Sequence, residues 1–417
     1  MTQTSGPWTG SWVVSHLGLD VAAEPAEAQG DLQRLTGLAL RRNPKRPHLL
    51  VSTVLGKHVP TSPAVALGVG RQLGERVAAC LAGGDSVDLV VGYAETATSL
   101  GHIVSDVLQT SYLHSTRRHD GDAWTTFEEV HSHATVHRLV PDDPEMLRGE
   151  GALVLVDDEL STGRTACETI RALHAMNPRN RYVVAAILDL RSAADRADVD
   201  ALAKSLDARI DVVSLVSGRT RQVGEPSEEV AALLADEPAR EGDTPVLGQL
   251  VRLATEWPES VPEGGRHGLR QHQRPAFDAA LDDLGRSVAD AVRGRGSVHV
   301  LGHEELMYLP LRLAGRLADQ PEAPAVTFSS TTRSPVVVLD EPGYAVRHGI
   351  VFAAHDHPVD AMPRFAYNLA PGRFDAVVFV TDDRGDSPEL PAFLELLCAL
   401  TPLVVVVVVP ERVATKR

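Results

Sequence analysis

The sequence predicts an α/β protein built from two parallel-sheet domains, and three observations carry that expectation. Valine-rich runs ("VDLVVGY", "ALVLVDD", "YVVAAILDL", "IDVVSLVSG") alternate with stretches of helical periodicity, and the alternation resumes in "SVHVLGH", "AVTFSST", "DAVVFVTDD" and "PLVVVVVV". Runs that are apolar throughout, rather than at every second residue, suit strands covered on both faces by crossover helices. The two blocks are separated near residues 222–272 by a stretch rich in Pro, Gly and acid, which punctuates rather than continues the pattern. With 417 residues, 43% of them hydrophobic, the chain is also too long for one compact core.

Taken in order, residues 1–31 are polar with scattered Gly and Pro and read as a partly disordered segment. They lack the basic-then-apolar pattern of a secretory leader. A first domain is expected over 32–221, a linker with one short amphipathic helical stretch ("VLGQLVRLA") over 222–272, and a second domain over 273–417. The longest apolar run, residues 403–409, is too short and too β-branched for a membrane span and reads as a central strand. Acidic residues outnumber basic ones by 56 to 40, so a nucleic-acid backbone would be repelled; neither nucleic acid nor membrane is expected as a partner. Cys80, Cys167 and Cys398 are odd in number and far apart, which argues against a disulfide framework and fits a reducing cytoplasm.

The chemistry concentrates in "LVLVDDELSTGRT", residues 153–165. An apolar strand is expected to end at Asp157 and Asp158, with a turn over Ser161, Thr162, Gly163, Arg164 and Thr165 before the helix of "TACETIRALHAM". Ligands of open α/β sheets bind where strands end and helices begin. A helix N-terminus offers unpaired N–H groups, a glycine lets the backbone wrap an anion, and hydroxyls add donors, so the turn suits a phosphate. Two adjacent carboxylates suit the vicinal hydroxyls of a ribose whose 5′-phosphate lies in that turn. A second anion site is expected in "VDLVVGYAETATSLG", where a strand ends at Gly92 and the small residues of the Tyr93, Ala94, Glu95, Thr96 and Ala97 loop precede a helix starting near Ser99. The acidic Glu95 is out of place beside an anion, and a magnesium-linked or structural role is left open. Between the two sites "STRRHDGDAWTTFEEVHSHATVHRL" gathers Arg117, Arg118, His131, His133 and His137. Its histidines invite a metal-site reading, but zinc-ligand spacing is met only loosely, and no metal is assigned to a protein ligand.

This constellation resembles the type I phosphoribosyltransferases, which bind 5-phosphoribosyl 1-diphosphate in a Rossmann-like parallel-sheet fold. The wider set "RRNPKRPHLLVSTVLGKHVP", "GYAETATSLG", "STRR", "FEEVHSHATVH" and "VDDELSTGRT", with Thr332-Arg333-Ser334-Pro335 in the second half, resembles the orotate phosphoribosyltransferase-like family with a C-terminal TRSP domain, found in bacterial tellurite-resistance (stress) gene clusters. The resemblance implies a Mg2+-dependent transfer of phosphoribosyl to a small-molecule acceptor with release of diphosphate, and is compatible with a homodimer. It implies that Asp157 and Asp158 hold the ribose hydroxyls and residues 161–165 the 5′-phosphate. The Tyr93–Ala97 loop would take the diphosphate, and the segment between the two sites would be, in preference to a metal site, the mobile lid that such enzymes close over the active site, with Arg117, Arg118, His131 and His133 acting on the diphosphate. Acceptor recognition is expected from the N-terminal hood, at Lys45, Lys57 and His58, and from Arg191. A non-catalytic binder of the same donor and a diphosphokinase that makes it are the rival functions.

The second half echoes the first. Gly302 and Glu305 match Gly92 and Glu95, and "SSTTR" matches "HSTRR". Asp382 and Asp383 match Asp157 and Asp158, while Asp386 stands where a phosphate would lie. The expectation is a degenerate duplicate whose Glu305, Thr332, Arg333 and Asp383 serve another polar ligand or cap the first site, with Arg333 the residue that meets an anion.

Overall fold

The computed structural model describes residues 6–43, 46–118, 125–129, 135–235, 248–356 and 362–411. Along the chain run α1 (Ser11–Leu17), β1 (Leu19–Ala23), α2 (Gln29–Leu35), β2 (Thr36–Leu40), β3 (His48–Ser52), α3 (Pro63–Leu81), β4 (Val87–Gly92), α4 (Ala97–Leu108), β5 (Ser111–His114), β6 (Thr125–Glu129), β7 (Thr135–Leu139), β8 (Ala152–Leu160), α5 (Arg164–Met176), β9 (Arg181–Asp189), α6 (Ala193–Ser205) and β10 (Arg209–Gln222). There follow α7 (Glu228–Ala235), β11 (Gln249–Arg252), α8 (Arg274–Ala291), β12 (Ser297–Gly302), α9 (Tyr308–Ala318), β13 (Ala325–Ser330), β14 (Gly349–Phe352), β15 (Arg364–Tyr367), β16 (Ala376–Asp382), α10 (Leu390–Leu400) and β17 (Leu403–Val409).

These elements form two compact units that cut across sequence order. The first unit holds Ala64–Gly218, Trp257–Asp282 and the chain from Pro410. Its sheet is parallel in the order β10-β9-β8-β4-β5, so the chain changes direction across the sheet between β4 and β8. Such a switch point opens a crevice at the carboxyl ends of the strands. One face of the sheet, through Leu153, Leu155 and Ala186, buries Ile170 and Leu173 of α5 and Val199 and Leu202 of α6, each large side chain contributing roughly 1.5–3 kcal/mol. On the other face α3 meets α4 so closely that a Cβ on Gly70 or Gly74 would stand 2.8 Å from Ile103 or Val107. With both faces covered, β8 and β9 need no polar alternation, which is why they read as apolar runs.

The second unit holds the chain up to Pro63, Arg219–Glu256 and Asp283–Val409. Its sheet is parallel in the order β11-β17-β16-β12-β13. Setting aside β10, which β1 flanks, and the edge strand β11, the two sheets share one order of strands: fourth, third, first, second. Registers agree as well, since Gly92 lies opposite Val156 and His114, and Gly302 opposite Val380 and Ser330. Each unit inserts an antiparallel hairpin, β6–β7 or β14–β15, between its second and third strands. The hairpin then bridges back by an isolated pair, Thr116 with Arg138 in one and Thr332 with Phe365 in the other. The second half therefore repeats the topology of the first.

Each second strand also gains a strip from a distant part of the chain. In the first unit Tyr112 and Leu269 exchange backbone hydrogen bonds and His114 N donates to Gly265 O; in the second, Phe328 and Thr61 exchange them and Ser330 N donates to Gly56 O. The strips read "GRHGL" and "GKHVPT". Each precedes the first helix of one repeat yet pairs with a strand of the other, so the expected sequential division at 32–221 and 273–417 differs from the units that form. Within residues 1–31, expected to be partly disordered, lie α1, β1 and the start of α2. In the expected linker the described part of the "VLGQLVRLA" stretch, from residue 248, is strand and not helix: β11 pairs in parallel with β17, with Leu250 against Val404. Its short apolar run satisfies a helical pattern and a strand equally, and the open edge of a valine-rich sheet decides it.

Candidate active site

Strand β8 does not end at the aspartates; it continues through them to Leu160. Because successive side chains of a strand point to opposite faces, Asp157 follows Leu153 and Leu155 toward the α5 face, and Asp158 points toward the α3–α4 face. Both are half-buried, and Asp158 N donates to Asp157 Oδ1 at 2.9 Å. The turn is shorter than expected, Ser161–Gly163, and α5 begins at Arg164. Gly163 adopts φ 76°, and its Cβ position lies 3.0 Å from Cδ of Arg191, so a side chain there would be both strained and crowded. Arg164 N donates to Thr162 Oγ1 at 3.3 Å and Cys167 N to Gly163 O at 3.1 Å. The amides of Thr165 and Ala166 lie in the first turn, where helix N–H groups have no intrahelical partner.

Arg191, expected to read the acceptor, lies beside this turn and is forked onto Asp189. Its Nε and Nη2 meet Asp189 Oδ1 and Oδ2 at 2.8 and 2.9 Å, both residues being buried, and its stem lies under Gly163. Burial pushes the Asp189 carboxyl pKa up, and the fork of Arg191 more than reverses this, leaving it below the ordinary carboxylate value.

The loop after β4 occupies the neighbouring strand end. Gly92 lets it turn sharply, because a Cβ would stand 2.3 Å from Tyr112 Oη and 2.9 Å from Ala97 O. The expectation that its amides are open is corrected. Tyr93 N donates to Val156 O, Ala94 N to Ser115 Oγ, Ala97 N to Tyr93 O and Thr98 N to Glu95 O, and Tyr93 to Ala97 are all buried. Four amides are thus spent on holding the loop, and α4 starts two residues earlier than expected, at Ala97. Glu95 is 2% exposed and faces Arg117 Nη1 at 3.9 Å, which accounts for an acid beside an anion-suited loop. Burial drives the Tyr93 hydroxyl pKa well above its ordinary value, and its ring stands edge-on to His137, 6.2 Å away.

The lid residues divide. Arg118 is buried and its Nη1 lies 3.8 Å from Glu411, which Arg266 also meets at 2.5 Å and His267 at 3.9 Å. His137 Nδ1 lies 2.8 Å from Ser115 Oγ. His131 and His133 lie outside the described residues, as does Lys45. Strand β6 packs against α5, so the hairpin stands beside the helix whose N-terminus forms the turn. Lys57 and His58 are not in this unit at all; they belong to the second, where His58 is buried and its carbonyl accepts from Asn368 Nδ2 at 2.8 Å. The strip that fills the same role here carries Arg266 and His267, which sequence order alone could not reveal. The matching "GRH" and "GKH" were the available signal.

In the second unit the register moves the expected match by one residue. With Val380 opposite Gly302 as Val156 is opposite Gly92, Thr381 stands at the place of Asp157 and Asp382 at that of Asp158. Asp382 Oδ1 accepts from Gly385 N at 3.0 Å; Asp383 is exposed. Asp386 does not fill an anion cradle but pairs with Arg252 of β11 at 2.8 Å. Glu305 and Thr332 are buried, and Thr332 Oγ1 accepts from Ser334 N at 3.1 Å. Arg333 does meet anions, but they are the chain's own: Glu304 Oε2 at 2.6 Å and Asp356 Oδ2 at 3.5 Å. Burial lowers the Arg333 pKa, and Glu304, Glu305 and Asp356 together carry it above the usual arginine value. His303, whose Nδ1 lies 2.9 Å from Thr381 Oγ1, stacks on His355 at 4.4 Å. Glu304, Asp356, His355 and Arg364 are not singled out by any motif in the sequence.

Two family models match the chain in tandem. A phosphoribosyl transferase model matches residues 35–219, and a model of the TRSP domain found C-terminal to that transferase matches residues 263–397. The first match spans the first unit's parallel sheet, from β4 into β10. Each match begins within or ahead of the strip that the other unit takes up, which is the same crossing the hydrogen bonds show. Among solved structures, adenine phosphoribosyltransferase from Rhodothermus marinus is 15% identical, with a TM-score of 0.33 over 45% of this chain and 99% of that one. The enzyme from Trypanosoma brucei, in complex with AMP, pyrophosphate and ribose-5-phosphate, is 13% identical, with a TM-score of 0.32 over 44% and 78%. That from Giardia lamblia, with 9-deazaadenine, is 19% identical, with a TM-score of 0.32 over 44% and 96%. No curated protein matches the chain.

Proposed function

We propose that the first unit transfers the phosphoribosyl group of 5-phosphoribosyl 1-diphosphate to a small-molecule acceptor and releases diphosphate. The observation that carries this reading is the placement of Asp157 and Asp158 at the sheet's switch point, facing opposite sides. The α5 turn, suited to a monophosphate, lies on the Asp157 side, and the Tyr93–Ala97 loop with Arg117 leads into α4 on the Asp158 side. A donor laid across the strand end would put its ribose between the carboxylates, its 5′-phosphate at residues 161–165 and its diphosphate toward Arg117. Charged hydrogen bonds of this kind are the stronger sort. Mg2+, a hard cation that takes oxygen ligands, fits carboxylates half-exposed at that place and would neutralise charge on the departing diphosphate. The protein's own share is positioning, stabilisation of the leaving group by Arg117, and exclusion of water by the β6–β7 hairpin. The acceptor side falls to Arg266 and His267, which lie in the strip along β5.

A diphosphokinase would also suit a duplicated sheet, but the second unit has Thr381 where the first has Asp157. The deciding experiment incubates the chain with isotopically labelled 5-phosphoribosyl 1-diphosphate, Mg2+ and a cell metabolite extract, and follows products by mass spectrometry. A labelled phosphoribosyl adduct that Asp157→Asn fails to make supports transfer. Donor binding with no adduct and no diphosphate release would leave a binding protein instead.

A further inference from the structure

The loops that follow β4 and β12 are held alike and differ in one decisive side chain. Ala94 N donates to Ser115 Oγ at 3.0 Å, and Glu304 N donates to Thr331 Oγ1 at 3.0 Å; Ser115 N and Thr331 N in turn donate to Gly92 O and Gly302 O, each at 2.9 Å. Glu304 therefore stands at the place of Ala94. By the same register Arg333 stands at the place of Arg117, and the hairpin bridges of Thr116 with Arg138 and Thr332 with Phe365 put Arg364 at the place of His137. Where the first unit has Ala94, Arg117 and His137 at these places, the second has a carboxylate facing two arginines.

We propose that the second unit keeps an anion site of the diphosphate class and fills it with its own chain, the Glu304 carboxylate standing on Arg333 and Arg364 in place of an external anion. Glu304 Oε2 meets Arg333 Nε at 2.6 Å and Glu304 Oε1 meets Arg364 Nε, so each oxygen takes one guanidinium. Asp356 flanks both, at 3.5 Å from each terminal nitrogen. Glu304 and Arg364 are fully buried, where charge pairs are screened little. A tethered carboxylate acts at a high effective concentration, and a diphosphate in solution must displace it to reach the arginines. His303, Glu304 and Asp356 have ligand atoms within 4.8 Å of one another and could be taken for a metal site. Both Glu304 oxygens already face guanidinium groups, however, and a divalent cation there would be set against two positive charges. The proposal leans on the transferase reading only for the identity of the anion.

The test titrates inorganic pyrophosphate into the full chain by calorimetry, using Arg117→Ala to weaken the first site. The Arg117→Ala chain is expected to bind none. Adding Glu304→Gly, which suits the φ of 49° at that position, or the isosteric Glu304→Gln, should create one pyrophosphate site per chain. Adding Arg333→Gln to either should abolish it. Two substitutions are used because buried arginines left without Glu304 could unfold one of them. Three results would overturn the proposal: pyrophosphate bound in the second unit with Glu304 intact, no binding by a folded Glu304 variant, or stoichiometric Mn2+ binding lost with Glu304→Gln. If the wild-type chain binds no pyrophosphate at all, the transferase reading fails while the gain in the Glu304 variants still decides this one.

Discussion

Replacing Asp157 or Asp158 by Asn changes charge and little else, so its consequence can be worked from the geometry. Each aspartate is half-buried at the end of β8, and Asn keeps an Oδ1 that can still accept from the Asp158 amide in the way Asp157 does at 2.9 Å. The strand end should therefore hold its shape, with stability within ~0.5 kcal/mol of wild type. What is lost is the ionic share of a hydrogen bond to a ribose hydroxyl. A hydrogen bond to a charged group contributes ~1.5–3 kcal/mol, and ~1.4 kcal/mol is a factor of ten in binding, so each substitution should weaken donor affinity by about ten- to a hundred-fold. Because the two side chains face opposite sides of the sheet, neither can take over from the other, and the double variant should lose about the product of the two factors. Calorimetry with 5-phosphoribosyl 1-diphosphate and Mg2+, beside urea denaturation as the folding control, measures both quantities. Unchanged affinity in both single variants, with folding intact, would refute the ribose assignment.

Other consequences follow from neighbouring residues. Gly163→Ala forces a side chain into φ 76° and to 3.0 Å from Arg191; a loss of ~1–2 kcal/mol in urea denaturation and a weaker affinity for inorganic phosphate are expected together. Asp189→Asn leaves the buried Arg191 without its ionic fork and should cost ~3–5 kcal/mol, read as a lower denaturation midpoint. Gly92→Ala and Gly302→Ala should both destabilise, since each Cβ would fall within 2.5 Å of another atom, Tyr112 Oη in one case and Leu306 O in the other; a wild-type melting temperature for either variant in differential scanning would contradict the clash. Burial, helped by Arg373, holds His299 at a pKa of about 3 against 6.5 when unfolded, so the unfolded chain binds the extra proton between those values. Stability from this residue is full above about pH 6.5 and falls as pH drops toward 3, by ~1.4 kcal/mol at pH 5.5; His299→Gln should remove that difference between denaturations at pH 7.5 and 5.5.

Much of the fold is legible in the sequence because its signals are local. The runs "PLVVVVVV" and "ALVLVDD" are apolar throughout because both faces of β17 and β8 are covered, and the Ser-Thr-Gly turn lies within thirteen residues of the strand that positions it. The echo between halves is legible for the same reason, through Gly92 and Gly302 and the paired "STRR" and "TTRS". What escapes the sequence depends on long-range pairing. Nearness along the chain puts Lys57 and His58 at the first site, whereas Thr61 pairs with Phe328. The matching of aspartate doublets sets Asp382 on Asp157, and the β12–β16 register places it one residue further along. Glu304 and Arg364 are 60 residues apart and meet only because the hairpin folds back over the strand ends; no spacing in the sequence announces that pair. Arg191 has the position of a ligand reader because it follows a strand, and Asp189 two residues earlier is the sign of a structural fork.

A crystal structure of the chain with 5-phosphoribosyl 1-diphosphate and Mg2+ tests the central claim most directly. The 5′-phosphate is expected on the Ser161–Thr165 turn, the ribose hydroxyls at Asp157 and Asp158, and the diphosphate beside Arg117 in the first unit, with the second unit empty around Glu304. A donor seated instead on Arg333 and Asp382, or one whose ribose lies away from both aspartates of β8, would contradict the account.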